Sequence, residues 1–340
     1  MKNVHGGPTL EVPIMARIAV TDGMAKAAIS VLEKAGHEVV VGHIEQKDLL
    51  NGALKDFDAI IVRSATKLPE EVIKESSGLS VIGRAGVGVD NIDLKAAGNS
   101  GIVVVNAPNA STQSVVELTI GHLLSSVRHI PKSDRGLRGD KWEKKAMKGT
   151  ELSGKCLGLI GFGRIAQGVA RVAKSLGMEI HTYDPYLPPK VAKAQDAYLH
   201  KKVDSLFKAC THISIHCNLT DETHHLVNAK RMSMMPGRKS GIECGNHIVN
   251  CARGGIIDED ALLGALEDGT ITSAALDVFE VEPLPANYKL VQHQNFHGTP
   301  HIGAATLEAQ HRVGLDIAKA VNLALAGKKP DTIVNAQFLN

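Results

Sequence analysis

Three short segments, each following an apolar run, carry residues able to do chemistry. Arg253 lies in VNCARGG, ahead of a glycine pair that leaves room for a ligand. Asp277, Glu280 and Glu282 lie in ALDVFEVEPLP, and His301 lies in a Pro- and Gly-rich turn, GTPHIGAAT. Reversible hydride transfer to a 2-oxo acid needs a cation for the carboxylate and carbonyl oxygen, and arginine's planar fork matches a carboxylate. It needs a proton donor that serves both directions near neutral pH, as histidine does. It also needs an anion to orient that donor, and a carboxylate beside histidine favours the imidazolium. Each residue is ordinary when taken singly. The set, placed where strands end, points to a site, because open parallel sheets bind ligands at the carboxyl ends of their strands.

A second kind of chemistry is written in LGLIGFGRIAQGVA, residues 157–170. Gly161, Phe162, Gly163, Arg164, Ile165 and Ala166 form G-x-G-x-x-A, a permitted form of the dinucleotide fingerprint. Gly161 allows a tight turn, Gly163 lets the backbone approach a pyrophosphate, and Ala166 keeps helix and strand close. The helix that follows offers free N–H groups and its positive dipole end to phosphates. The next strand, MEIHTYD, ends in Asp184. An acid there accepts from both ribose hydroxyls of NAD and repels the 2′-phosphate of NADP.

These residues need elements to position them. Short apolar runs alternate with amphipathic stretches: ARIAV (16–20), AIIV (59–62), SVIG (80–83) and IVVVN (102–106), then CLGLIG, MEIHTYD, HISIH, HIVN and SAALDVF from Cys156 onward. Continuous apolar strands separated by helices predict parallel sheets covered on both faces. Two long helices, expected at 111–130 and 306–327, bracket the second series. Ser114 and Glu117 have capping-box spacing in the first, and Gly327 is placed to end the second. The glycine corner therefore starts a domain inserted inside another. The expected division is a split domain of residues 15–107 and 303–340 and an inserted domain of 108–302, preceded by a loose, flexible arm of residues 1–14.

At 340 residues the chain exceeds the size at which one core stops growing, which agrees with two domains. The net charge of +2 gives no electrostatic reason for a nucleic-acid or membrane partner. No apolar run approaches a membrane span, and the first residues lack a secretory signal. Five cysteines, an odd count without a disulfide framework, fit a reducing cytoplasm. Cys244, His247 and Cys251, the pair His224–His225, and His293, His297 and His301 could be drawn as metal ligands. No two closely spaced ligand pairs occur, so no metal is expected.

GRAGVGVDNID, KWEKKAMKGTEL, GLIGFGRIAQGVA, VNCARGGIIDEDAL, ALDVFEVEPLP, TPHIGAAT and IVNAQFLN, in this order, resemble the NAD-dependent D-2-hydroxyacid dehydrogenases. The resemblance runs from about residue 16 to the end of the chain. It implies an α/β fold of two doubly wound parallel-sheet (Rossmann/flavodoxin-like) domains, the nucleotide domain inserted into a split substrate domain. It also implies Arg253 on the substrate carboxylate and carbonyl, and Glu282 paired with His301 as acid/base. Asp277, Cys251, Ala252, Gly303 and Ala304 fall on the cofactor side. Val87 and Gly88 are expected to offer N–H groups to the substrate carboxylate. Arg63 matches a phosphate-binding arginine, with Arg84 and Lys67 near it, so the substrate expected is a phosphorylated 2-hydroxy acid. Trp142 and Lys144 match a segment that reaches a neighbouring subunit's cleft, which implies a homodimer or homotetramer built on the NAD domain.

The chain also departs from that pattern. Ser111 stands where the family usually has Asn near the substrate. Asn218, beside Cys217, replaces the usual Pro by the adenosine. The connector MPGRKSGIECGNHIVN runs longer than usual and reads as a surface excursion. No regulatory domain is expected after VNAQFLN. Two other readings are a reductase of unphosphorylated 2-oxo acids and an NAD(H)-responsive binding protein.

Overall fold

The computed structural model describes residues 15–339, so the expected arm of residues 1–14 lies outside the described residues. The strands are β1 (Arg17–Val20), β2 (Glu38–Val41), β3 (Ala59–Val62), β4 (Val81–Arg84) and β5 (Val103–Asn106), then β6 (Cys156–Ile160), β7 (Glu179–Tyr183), β8 (Tyr198–Leu199) and β9 (His212–Ile215). They continue with β10 (Arg238–Lys239), β11 (Ile242–Glu243), β12 (His247–Asn250), β13 (Ser273–Leu276) and β14 (Phe296–Gly298). The chain divides into two compact units. One runs up to Ser111 and resumes at Thr306; the other is Thr112–Ala305. The division falls a few residues beyond the expected boundaries on both sides. The turn after β14 stays with the second unit because its backbone is bonded to Asp277 there.

The first unit holds a parallel five-stranded sheet in the order β2-β1-β3-β4-β5. Its middle strand, β3, is buried at every position, as the unbroken run AIIV predicts for a sheet covered on both faces. The helix Leu307–Leu325 packs against β4 so closely that a Cβ on Gly83 would stand 2.8 Å from Val321 Cγ2. Thr306 caps this helix, its hydroxyl accepting from Ala309 N at 3.1 Å. Gly327 follows its end with φ 70, the left-handed geometry that glycine adopts at helix ends.

The chain then returns along the edge of β5. Asn335 is fully buried there: its Oδ1 accepts from Val104 N at 2.9 Å and its Nδ2 donates to Ile102 O at 2.8 Å. Asn335→Ala leaves both backbone groups without partners. We expect a loss of about 2 kcal/mol in urea denaturation; an unchanged midpoint would remove the tail as an edge clamp.

The second unit holds a parallel seven-stranded sheet in the order β14-β13-β12-β9-β6-β7-β8. Read from β8, the order is 3-2-1-4-5-6 with a seventh strand added, and it reverses between β6 and β9, where such sheets take their ligands. β6, β9, β12 and β13 are buried throughout. β2, β8 and β14 lay outside the strands expected from sequence: β8 and β14 are only two and three residues long, and β2, although it carries three valines, is largely exposed.

The helix expected at 111–130 spans Thr112–Val127. The capping-box expectation fails. Ser114 lies inside the helix, buried, and Glu117 Oε1 accepts from Gln113 Nε2 at 2.8 Å. The apolar run behind Ser114 begins one turn later than the helix does, so the spacing marked the wrong start.

Candidate active site

The glycine corner opens at the end of β6. Gly161 adopts φ 85, and a Cβ there would stand 2.8 Å from the His216 carbonyl oxygen beyond β9. Only glycine permits this approach of the two strand ends. Gly163 has open space around its Cβ position and begins the helix Arg164–Ser175 without a side-chain cap. Ala166 is buried against the sheet, while Arg164 is exposed and Ile165 half-buried. A helix N-terminus with open space before it fits the pyrophosphate of a dinucleotide.

Asp184 follows β7. Its Oδ2 accepts from Phe162 N at 3.0 Å and its Oδ1 from Tyr186 N at 3.0 Å. These bonds fix the carboxylate beside the corner. Asp184→Ala is expected to weaken NAD binding and to relax rejection of NADP, read as the ratio of kcat/KM for the two cofactors. An unchanged ratio would refute its ribose role. Cys217 sits just past β9 with its thiol pushed up to about 11 by burial, and burial likewise raises Cys251 to about 12. Both stay protonated at neutral pH. Asn218 is exposed, its carbonyl accepting from Thr223 Oγ1 at 2.7 Å.

Arg253 is held by the backbone beyond β12. The buried Asn250 accepts from Ala252 N and donates to Arg253 O, each at 2.9 Å, and Arg253 Nη1 donates to Ala252 O at 2.6 Å. A Cβ on Gly254 would collide with the Phe279 carbonyl, so glycine brings this loop against the segment after β13.

That segment carries Asp277, Glu280 and Glu282, and each has its own partner. Glu282 Oε2 lies 2.7 Å from His301 Nδ1, and its Oε1 accepts from Phe279 N at 2.9 Å. Burial pushes the Glu282 carboxyl up, but the bonds from His301 and Phe279 N and the charge of Arg253 outweigh it. Its pKa stands below the ordinary carboxylate value. With Nδ1–H of His301 on Glu282, Nε2 is the ring nitrogen not taken by that carboxylate.

Glu280 pairs instead with His225 Nε2 at 3.0 Å. Its backbone N–H is accepted at 2.7 Å by Glu259, a buried carboxylate that also takes the Tyr288 hydroxyl at 2.6 Å. Burial raises the Glu259 pKa. Glu259 and Tyr288 brace the segment bearing Glu282, and sequence reading passed over both because neither belongs to a motif.

Asp277 is buried, and its carboxylate is bonded within its own chain. Oδ1 accepts from Thr299 Oγ1 at 2.6 Å and Ile302 N at 2.8 Å, and Oδ2 accepts from Gly303 N at 2.8 Å. It holds the turn in which His301 adopts φ 53, an uncommon conformation for a residue with a Cβ. Gly303 is accordingly buried against Asp277, and Ala304 is half-buried behind it. Because Thr299 donates to Asp277, it accepts from His122 Nε2–H at 3.0 Å. Burial lowers the His122 pKa and keeps that ring neutral. His122 sits on a helix face that reads as core, so no sequence signal marked it.

In the first unit, Arg63 follows β3, with its N–H donating to Asp22 at 2.6 Å and its carbonyl accepting from Asn91 at 2.8 Å. Arg84 ends β4 and donates to Ala85 O at 3.3 Å. Val87 is exposed, its carbonyl accepting from Asn106 Nδ2 at 2.7 Å, and Gly88 is half-buried beside it. Lys67 is exposed and Ser111 is buried. In the second unit, Trp142 is 85% exposed and Lys144 is exposed near it.

The supposed metal ligand His247 uses both ring nitrogens within the fold, on Ser273 and on the Cys244 carbonyl. Among the described residues a single group, Cys156, Glu179 and His181, brings its ligand atoms within 4.8 Å of one another. Lys239 already bonds two of them. No helix among the described residues is long and apolar enough to cross a membrane.

Residues 120–303 match the family model of the D-isomer specific 2-hydroxyacid dehydrogenase, NAD binding domain. The chain is 45% identical over 94% of its length to D-3-phosphoglycerate dehydrogenase of Methanocaldococcus jannaschii, and spans 60% of that relative. It is 43% identical over 90% of its length to hydroxypyruvate reductase of Thermotoga maritima, covering 97% of it. The NAD+-bound 3-phosphoglycerate dehydrogenase of Entamoeba histolytica superposes with a TM-score of 0.76 at 30% identity, over 94% of this chain and 98% of that one. With the glycine corner, the acid after β7 and the His–Glu pair in place, the chain belongs to the D-isomer specific 2-hydroxyacid dehydrogenase family.

Proposed function

We propose that this chain oxidises D-3-phosphoglycerate to 3-phosphohydroxypyruvate, with NAD as hydride acceptor, and catalyses the reverse reduction. The observation that carries the chemistry is the 2.7 Å His301–Glu282 pair with the charge of Arg253 acting on it. Gly161, Phe162, Gly163, Arg164, Ile165 and Asp184 would hold the cofactor, with Cys217, Asn218, Cys251 and Ala252 lining its site. When bound, NAD supplies the acceptor for the C2 hydride.

The chain's own groups do the rest. Arg253 holds the carboxylate and polarises the C2 oxygen; in the first unit, the N–H groups of Val87 and Gly88 are donors for a carboxylate. His301 Nε2 takes the hydroxyl proton during oxidation and returns it during reduction. Glu282 holds Nδ1–H and stabilises the imidazolium while that proton is on the ring. Asp277 acts through the turn that aims His301. Arg63 and Arg84 serve the distal end, joined there by the partner's Lys144; cations suit a phosphate and have little use for a hydroxymethyl group. The unit of 15–111 and 306–339 serves as the substrate domain. The chain works as a homodimer or homotetramer, with the exposed Trp142 and Lys144 at a partner's cleft, in a reducing cytoplasm.

A second reading, reduction of hydroxypyruvate itself, is favoured by one observation. The relative matched along nearly its whole length bears that name, while the chain spans about 60% of the phosphoglycerate dehydrogenases. NADH oxidation with 3-phosphohydroxypyruvate and hydroxypyruvate at matched concentrations separates the two. We expect a large kcat/KM advantage for the phosphorylated substrate, reduced about 10–100-fold in Arg63→Ala, the loss of one charge-assisted contact of about 1.5–3 kcal/mol. Equal turnover of both substrates would move the protein to the second reading. No turnover of either, with NADH still bound, would make it a binding protein.

A further inference from the structure

Cys156 opens β6 and Glu179 opens β7, and the parallel register sets them opposite one another. Their side chains therefore leave the sheet on the same face. Lys239 comes to them from the longer connector, which forms a hairpin of β10 and β11. The hairpin turns at Ser240 and Gly241, both at positive φ, and Arg238 pairs with Glu243 across it. Its base is anchored by Gly237 N donating to Asn246 Oδ1 at 2.8 Å. Lys239 is thus delivered by an ordered ribbon.

Lys239 Nζ stands 2.9 Å from Cys156 Sγ and 2.7 Å from Glu179 Oε2, and Sγ lies 3.1 Å from that same oxygen. Thiol, amine and carboxylate close a triangle. Cys156 is buried, whereas the Lys239 and Glu179 side chains are 28% and 56% exposed, so the triangle opens to solvent on those two sides. A divalent ion held by Cys156, Glu179 and His181 would have to displace the ammonium already bonded to two of them. A sulfur and a nitrogen this close are separated by the span of one bridging atom.

We propose that Cys156 and Lys239 are joined reversibly through a single oxygen atom, as S–O–N, by reaction with dioxygen. The ammonium of Lys239 first passes a proton to Glu179 Oε2. Thiol, amine and dioxygen then give the bridge and one water. The S–H bond and one N–H bond break, and S–O and O–N bonds form. Sulfur and nitrogen are oxidised, dioxygen takes up four electrons, and its second atom leaves as water. Two dithiol molecules return the four electrons and restore thiol, amine and a second water. Burial pushes the Cys156 thiol up, with the ammonium opposing it, and the bonds within the triangle push Lys239 up and Glu179 down, so the proton transfer that must precede reaction is uphill and sets the pace. The bridge ties the hairpin to the first strand of the seven-stranded sheet and makes that attachment depend on redox conditions.

The full chain is held in air-saturated buffer or under argon with dithiol, then examined by intact mass and peptide mapping. The aerobic sample should be heavier by one oxygen less two hydrogens. Its digest should link the peptides of Cys156 and Lys239, and dithiol should release them. Lys239→Arg keeps the surface charge and should abolish the linked peptide. Glu179→Gln should slow its formation several-fold. Three results would overturn the proposal: a Cys156 that still alkylates fully after exposure, sulfur acids at Cys156 with Lys239 unmodified, or a linked mass lacking the oxygen.

Discussion

His301→Ala is expected to lower kcat by about 10²–10⁴-fold, the usual contribution of a positioned acid/base, while NADH binding measured by fluorescence stays near the unsubstituted value. The two readouts separate because His301 sits in the turn after β14, whereas the glycine corner and Asp184 lie at the ends of β6 and β7. The imidazole is fixed from one side only. Glu282 takes Nδ1 at 2.7 Å, and in the proposed mechanism Nε2 exchanges the proton with the C2 oxygen. His301→Asn keeps a polar group but no titrating one, and should be nearly as slow. Turnover within a few-fold of the unsubstituted enzyme would remove His301 as acid/base. Loss of NADH binding together with turnover would mean the substitution had disturbed the fold.

Asp277→Ala should act on both stability and rate. Three donors converge on this carboxylate, Thr299 Oγ1 and the N–H groups of Ile302 and Gly303. The site is buried, so water does not readily replace the lost acceptor, and each orphaned donor costs about 1–3 kcal/mol. We expect unfolding free energy to fall by about 3 kcal/mol or more in urea denaturation. We also expect kcat to fall more than KM rises, since the turn that holds His301 at φ 53 loses its anchor. Thr299→Val removes one of the three bonds and should give a smaller loss of the same kind. If Asp277 served the cofactor directly, NAD affinity would fall first and stability would hold.

The alternating runs of apolar strand and amphipathic stretch were enough to announce parallel sheets, because a strand buried on both faces is apolar along its length, as β3 and β6 are. The glycine corner was legible for a similar reason: its φ and its close approach to His216 admit no other residue at Gly161. What composition and spacing determined, then, were the fold class, the dinucleotide corner and the presence of Arg253, an acid and His301.

Residue types and spacing alone do not choose among Asp277, Glu280 and Glu282; the family resemblance named Glu282 as the partner of His301, and the structure pairs the two at 2.7 Å. The residues share one short segment and one chemistry, and only the chain brought against each separates their roles: the turn after β14, His225, and His301. Glu259, His122 and Thr299 were silent for the same reason, since their partners are remote in sequence and each position reads as ordinary core, cap or loop. Lys239 is the extreme case. A lysine in a polar connector carries no signal of its own, and it meets Cys156 and Glu179 only because two strands in register present both side chains on the face where the hairpin lands.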